Sequence, residues 1–161
     1  MNTPKPGQKL PLVESFYDRL TNGDGGGDPP SRGTTVREIS LAVRRDLEDL
    51  LNTRPLIDPK RLDGVLRDSL LAFGVPDMTG YDIHSREQAA LWLEQVRQAI
   101  ERFEPRLRNP RLSLTNSPDH VDPMIRFRIT ATLVVHPLEQ GVRFDSIVER
   151  STGAIEVQVP E

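Results

Sequence analysis

The side chains best suited to catalysis are few in this sequence and lie far apart along it. The chain contains no cysteine and three histidines, at His84, His120 and His136. A hydrolytic triad needs a serine or cysteine nucleophile beside a histidine that an acid orients. The histidines fall in predicted loops or at a strand end, and no Gly-x-Ser-x-Gly motif occurs. The sequence therefore predicts no nucleophilic triad and, without cysteine, no disulfide or thiolate metal site.

Paired carboxylates could instead cleave a glycosidic bond, and the candidates are Glu48, Asp49 and Glu104. That reaction needs one carboxyl group that stays protonated and acts as the general acid. Arginines share the predicted helix face of Glu48 and Asp49, and Arg106 follows Glu104 by two positions. Because nearby guanidinium groups stabilise an ionised carboxylate, they disfavour a general acid here. The sequence thus predicts a protein that is not an enzyme, and a glycosidase is the alternative.

Metal and nucleotide sites are not indicated either. Asn22, Asp24 and Asp28 suggest a calcium loop, but an EF-hand needs a glutamate at its last position, where this loop has Gly33. No Walker-type or Gly-x-Gly-x-x-Gly motif opens a helix after a strand. We expect no metal, no cofactor and no small-molecule substrate.

The composition limits the possible partners. The length of 161 residues suits one domain. The formal net charge of −3 argues against nucleic-acid binding, since that needs a basic surface. No apolar run approaches the roughly 18–20 residues of a membrane span, so we expect no direct membrane insertion.

Arginine outnumbers lysine 18 to 3 in this chain. Base composition of the gene accounts for this bias as well as function does. The functional interpretation is a protein partner, because arginine is favoured for bidentate and stacked contacts between proteins. Five arginines gather where the last predicted helix passes into the first strand: Arg97, Arg102, Arg106, Arg108 and Arg111.

Three amphipathic helices are predicted to position these residues, over 35–54, 58–73 and 85–104. Each has apolar residues at helical spacing and begins with capping residues: a capping box at Thr35, an Asp-Pro start at Asp58, and a second capping box at Ser85. The stripe of the second helix consists of Leu62, Val65, Leu66 and Leu70.

The hydrophobic period then changes to two, which is typical of strands. The predicted strands cover 111–115, 124–135, 142–150 and 154–159. Helices followed by closely connected strands indicate an α+β fold, with about three helices and a mostly antiparallel sheet of about four strands. The last strand ends at the C-terminus, which predicts an exposed sheet edge there.

The domain boundary is expected near residue 34. Residues 1–34 read as a flexible N-terminal segment, with a short helix at 13–20 and a Gly/Pro linker at 22–33. Residues 35–161 are predicted to form a single α+β domain.

Two segments resemble a known family. Residues 43–54, Val-Arg-Arg-Asp-Leu-Glu-Asp-Leu-Leu-Asn-Thr-Arg, look like the first-helix signature of TssE, a baseplate component of type VI secretion systems. Residues 104–106 look like its Glu-Pro-Arg motif, and Ser-Phe-Tyr-Asp-Arg-Leu at 15–20 is similar to its N-terminal segment. The order and spacing of these segments agree from about residue 12 to the end.

The resemblance implies a structural wedge protein, homologous to one in contractile-phage baseplates, which docks to other wedge proteins and templates assembly of the contractile sheath. It also implies a cytoplasmic location near the cytoplasmic face of the inner membrane. A lysozyme label attached to the family makes a peptidoglycan-cleaving glycosidase the alternative. The implied protein-binding residues are Glu104, Pro105, Arg106, Arg44, Arg45, Asp46, Glu48, Asn52 and Arg54.

Simpler roles stay open for the same residues. Glu104 and Arg106 could satisfy internal groups at a buried helix end. The polar residues of 44–54 could form a solvated helix face and cap the end of that helix.

Overall fold

The computed structural model describes residues 36–81, 85–115, 124–135, 138–149 and 151–160. The predictions for the N-terminal segment 1–34, its short helix and its linker therefore lie outside the described residues. So do the capping residue Thr35 and the three histidines.

The first helix, α1, covers Val36–Asn52, close to its predicted span. Its apolar residues recur every three or four positions, so they form one stripe that faces the core. The helix ends before Pro55 because a residue preceding proline disfavours the helical conformation. The buried residues of the helix are Ile39, Ser40, Ala42, Val43, Leu47, Leu50 and Leu51.

The prediction of a second α-helix over residues 58–73 is wrong. Three short 3₁₀ helices replace it, at Pro59–Arg61, Gly64–Asp68 and Leu70–Ala72. Gly64 has a φ of +54°, and the residues that precede the second and third turns are extended, so continuous α-helix is interrupted. Most of the expected apolar stripe is also not buried, since Leu62 is 6% exposed but Val65 and Leu70 are 84% and 85% exposed. The described residues thus contain two α-helices instead of three.

The third predicted helix is α2, which covers Arg86–Phe103. The hydroxyl of Ser85 accepts a hydrogen bond from the backbone of Gln88, as its capping box predicts. Trp92 from the middle of the helix packs edge-to-face on Phe127 of the sheet, with ring centroids 5.7 Å apart.

Four strands form one antiparallel sheet in the order β1-β2-β3-β4. They are Leu107–Leu114, Met124–Val135, Leu138–Glu149 and Ile155–Gln158. The predicted α+β class is confirmed, although β1 and β3 begin earlier than predicted. β1 contains a bulge between Arg108 and Arg111, where Asn109 has a φ of 52° and Pro110 lacks a backbone donor.

Both helices pack on one face of the sheet, with α1 along β4 and α2 along β1. The core lies between these layers, and its largest fully buried side chains include Phe127, Phe144 and Ile129. No element in the described part of the chain covers the opposite face. The sheet therefore has one buried and one exposed face, as the strict alternation in β2 predicts.

Candidate functional site

The Glu-Pro-Arg motif forms the corner at which α2 passes into β1. Glu104 ends the helix, because its backbone N–H still donates to Ile100 while Pro105 cannot continue the helical ladder. The backbone of Leu107 donates to the Glu104 carbonyl, which completes a tight turn into the strand. Pro105 lies exposed at the outside of this turn.

Glu104 is buried and holds Arg106 in place. The residue is only 3% exposed. Its Oε1 accepts hydrogen bonds from Nε of Arg106 at 2.7 Å and from the backbone N–H of Arg106 at 3.2 Å. The same guanidinium reaches Asp46 on α1. Burial disfavours the charged guanidinium, but the hydrogen bonds and charges of Glu104 and Asp46 outweigh it, and the pKa of Arg106 is raised. The corner is thus an internal charge network that joins the two helices.

The residues of the first-helix signature face the last strand. Asn52 donates from Nδ2 to the carbonyl of Ile155 at 2.7 Å and accepts the Ile155 N–H on Oδ1 at 2.9 Å. Its side chain therefore pairs with the strand as the backbone of a neighbouring strand would. Arg44 adds a bond to the carbonyl of Val157 at 3.3 Å and pairs with Glu48 at 2.6 Å.

Arg54, the last signature residue, fixes the turn that precedes β4. Its guanidinium donates to the carbonyls of Leu51 and Gly153, each at 3.3 Å, and lies 3.8 Å from the carboxylate of Asp77. Gly153 has a φ of +69°, and a Cβ there would lie 3.0 Å from this guanidinium. Neither Gly153 nor Asp77 is among the residues predicted from the sequence. The Ser-Thr-Gly sequence at 151–153 is a local signal for the turn, whereas Asp77 has no such signal.

Eight of the nine candidate residues therefore form two groups of four. Asp46 joins Glu104 and Arg106, next to the exposed Pro105. Arg44, Glu48, Asn52 and Arg54 lie along β4 and its preceding turn. Arg45 lies exposed on α1.

The sequence predicts an exposed sheet edge at the last strand, but in the structure the unpaired backbone groups lie on β3 instead. Asn52 and Arg44 occupy three of the outward groups of β4. β4 ends at Gln158, which lies opposite Asp145, and no described strand pairs with β3 beyond that point on this side. Alternate residues of an inner strand face alternate neighbours, so the backbone groups of Gly141 and Arg143 point toward this gap.

A shallow cleft marks the same gap. It has a volume of about 270 Å³ and is lined by residues that include Ser40, Gly141, Phe144 and Pro160. Among the described residues, no backbone hydrogen bond reaches Gly141 or Arg143 from this side. The described residues that line the cleft include no carboxylate, and two candidate acids, Glu48 and Glu104, are bound to arginines elsewhere.

The part of the chain that forms the Glu-Pro-Arg corner, the first-helix signature and most of the sheet also matches a known protein family. Residues 37–138 match the family described as baseplate wedge protein gp25. The chain belongs to this family. The family includes TssE, so the resemblance stated from the sequence is confirmed at that level. Membership gives the chain a structural role in a phage or type VI secretion baseplate, in contact with other baseplate components.

No curated protein and no solved structure is similar enough to the chain to count as a match. Within the residues that the structure describes, no helix is both long and apolar enough to cross a membrane.

The arginine cluster at the end of α2 is mostly paired within the chain. Arg97 binds Glu94 and Glu101, and its hydrogen bond lowers the pKa of Glu94 to about 2. Arg102 lies 3.2 Å from Asp68. Arg108 lies 3.8 Å from Glu139, Arg106 belongs to the corner network, and Arg111 has no ion-pair partner among the described residues.

Proposed function

We propose that the chain is a non-enzymatic component of a type VI secretion baseplate, acting near the cytoplasmic face of the inner membrane. It docks to other wedge proteins and templates the contractile sheath. The observation that carries the docking part is the corner at residues 104–106, where an exposed proline is held by an internal charge network. A rigid, exposed corner loses little conformational freedom on binding, which favours its use as a contact.

Docking is tested best at Pro105, because Arg106 also has an internal role. Pro105→Glu adds a charge at the exposed turn, and we expect it to reduce co-purification of the neighbouring baseplate proteins by about tenfold, as for a central interface contact. Ala90→Glu, which adds the same charge on an exposed part of α2, is the matched control and is expected to co-purify normally. If Pro105→Glu retains its partners as wild type does, the corner is not the docking surface.

The open edge of β3 supports sheath templating. An extended segment of another protein can add to an unpaired edge by backbone hydrogen bonds, while neighbouring pockets receive its side chains. The outward groups of Gly141 and Arg143 and the adjoining cleft provide both features. The other edge, β1, carries a bulge and Pro110, features that discourage pairing.

A proline substitution separates this role from folding. Gly141→Pro removes the N–H that points away from β2, and we expect it to abolish nucleation of sheath polymerisation in a reconstituted assembly. Gly141→Ala is the matched control, because it keeps the N–H and a Cβ there meets nothing within 4 Å. Normal sheath nucleation by a folded Gly141→Pro protein would contradict the assignment.

Enzymatic activity is tested directly on peptidoglycan. Because the candidate acids Glu48 and Glu104 are bound to arginines, we expect purified protein to release no reducing sugar above a blank reaction. Release that disappears in Glu48→Gln or Glu104→Gln, with the variants still folded by circular dichroism, would favour the glycosidase instead.

A further inference from the structure

The exposed face of the sheet carries a row of side chains to which the proposed baseplate contacts assign no role; Arg143 enters those contacts through its backbone groups at the edge of β3. Register places Arg111, Thr130 and Arg143 side by side on adjacent strands β1, β2 and β3. All three are exposed. Strands lie about 4.8 Å apart, so the Cα atoms of the two arginines lie about 10 Å apart across the threonine.

These two guanidinium groups are available to a ligand. In the described part of the chain, neither Arg111 nor Arg143 forms an ion pair. The neighbouring arginines on the same face are occupied, since Arg128 binds Asp145 at 2.6 Å and Arg108 lies near Glu139. Positive charge that is not neutralised within the chain is therefore concentrated on this row.

The next row on the same face has short side chains on two of its three strands. It contains Arg108 on β1, Thr132 on β2 and Gly141 on β3. Thr132 and Gly141 have short side chains, so this row is low on β2 and β3 and is occupied by a long side chain only at Arg108 on β1. A narrow segment can lie over the low part with its charged groups toward Arg111 and Arg143.

We propose that this row, Arg111–Thr130–Arg143, binds an acidic segment of a protein partner that presents carboxylates about 10 Å apart. Guanidinium forks match carboxylate geometry, which gives the contact direction as well as charge. A protein segment with a few carboxylates fits better than nucleic acid, because the row offers two guanidinium groups and the chain has a net charge of −3. A continuous phosphate backbone needs a more extended basic surface than two arginines.

The test uses the purified chain, so its result does not depend on the baseplate role. The probe is a fluorescent ten-residue oligoglutamate, measured by anisotropy at low ionic strength, where exposed charges are least screened. We expect the double variant Arg111→Gln/Arg143→Gln to weaken binding by about fivefold or more. The matched control Arg37→Gln/Arg86→Gln removes the same charge from exposed helix positions and is expected to stay within about twofold of wild type.

Three outcomes would overturn the proposal. Wild type could fail to bind the oligoglutamate at all. The two double variants could weaken binding equally, which would indicate net charge instead of a site. An oligothymidylate of the same length could bind more tightly than the oligoglutamate with the same dependence on Arg111 and Arg143, which would indicate phosphate binding. Thermal unfolding of both variants verifies that the comparison is between folded proteins.

Discussion

Asn52→Ala is expected to lower the free energy of unfolding by about 2–3 kcal/mol, measured by urea denaturation. The side chain makes three hydrogen bonds, two to the backbone of Ile155 and one to the carbonyl of Glu48. Each such bond contributes about 1 kcal/mol, and truncation also leaves a backbone donor and acceptor of β4 without their partner. The loss is large for an exposed residue at the end of a helix, because it removes two hydrogen bonds that join α1 to β4.

The neighbouring Thr53→Ala provides the control for this prediction. The Thr53 hydroxyl donates to the carbonyl of Asp49 in the last turn of α1 and not to the sheet, so we expect a loss of no more than about 0.5 kcal/mol. Hydrogen exchange separates the two roles further, since the Ile155 amide should exchange faster in Asn52→Ala and not in Thr53→Ala. Equal losses in the two variants would mean that Asn52 acts only as a helix-end residue.

The contrast between α1 and residues 58–73 explains which parts of the fold could be predicted. Both segments have apolar residues at helical spacing, but only the stripe of α1 is covered by the sheet. Most helical stability comes from packing such a face, and none of the residues that the structure describes covers Val65 and Leu70. Periodicity alone cannot report whether another element lies opposite, so it predicted one helix correctly and the other wrongly.

The candidate site shows the same limit at the level of single side chains. The sequence could identify Asn52 and Arg54 as a signature, because their order and spacing are local properties. It could not show that they bind Ile155 and Gly153, which lie about a hundred positions later in the chain. The turn at Gly153 and the open groups of Gly141 depend on strand register, which only the folded sheet fixes.

Glu104→Gln is expected to lower the free energy of unfolding by about 3 kcal/mol. The carboxylate is the main counter-charge of Arg106, whose side chain is only 26% exposed. Replacing the carboxylate by an amide keeps its shape and removes the charge, which leaves a largely buried guanidinium with Asp46 alone. Breaking one partner of such a pair is more destabilising than replacing both, because the remaining charge is not compensated.

A double-mutant cycle measures this coupling. We expect Glu104→Gln/Arg106→Met to be less destabilised than the sum of the two single variants by about 1.5 kcal/mol or more, because no uncompensated charge remains. Asp46→Asn is the control: its carboxylate is 46% exposed, so its loss is expected to stay below about 1 kcal/mol. Additive single effects would mean that Glu104 and Arg106 act independently. They would also remove the argument that an internal network, instead of a partner, holds the corner rigid beneath Pro105.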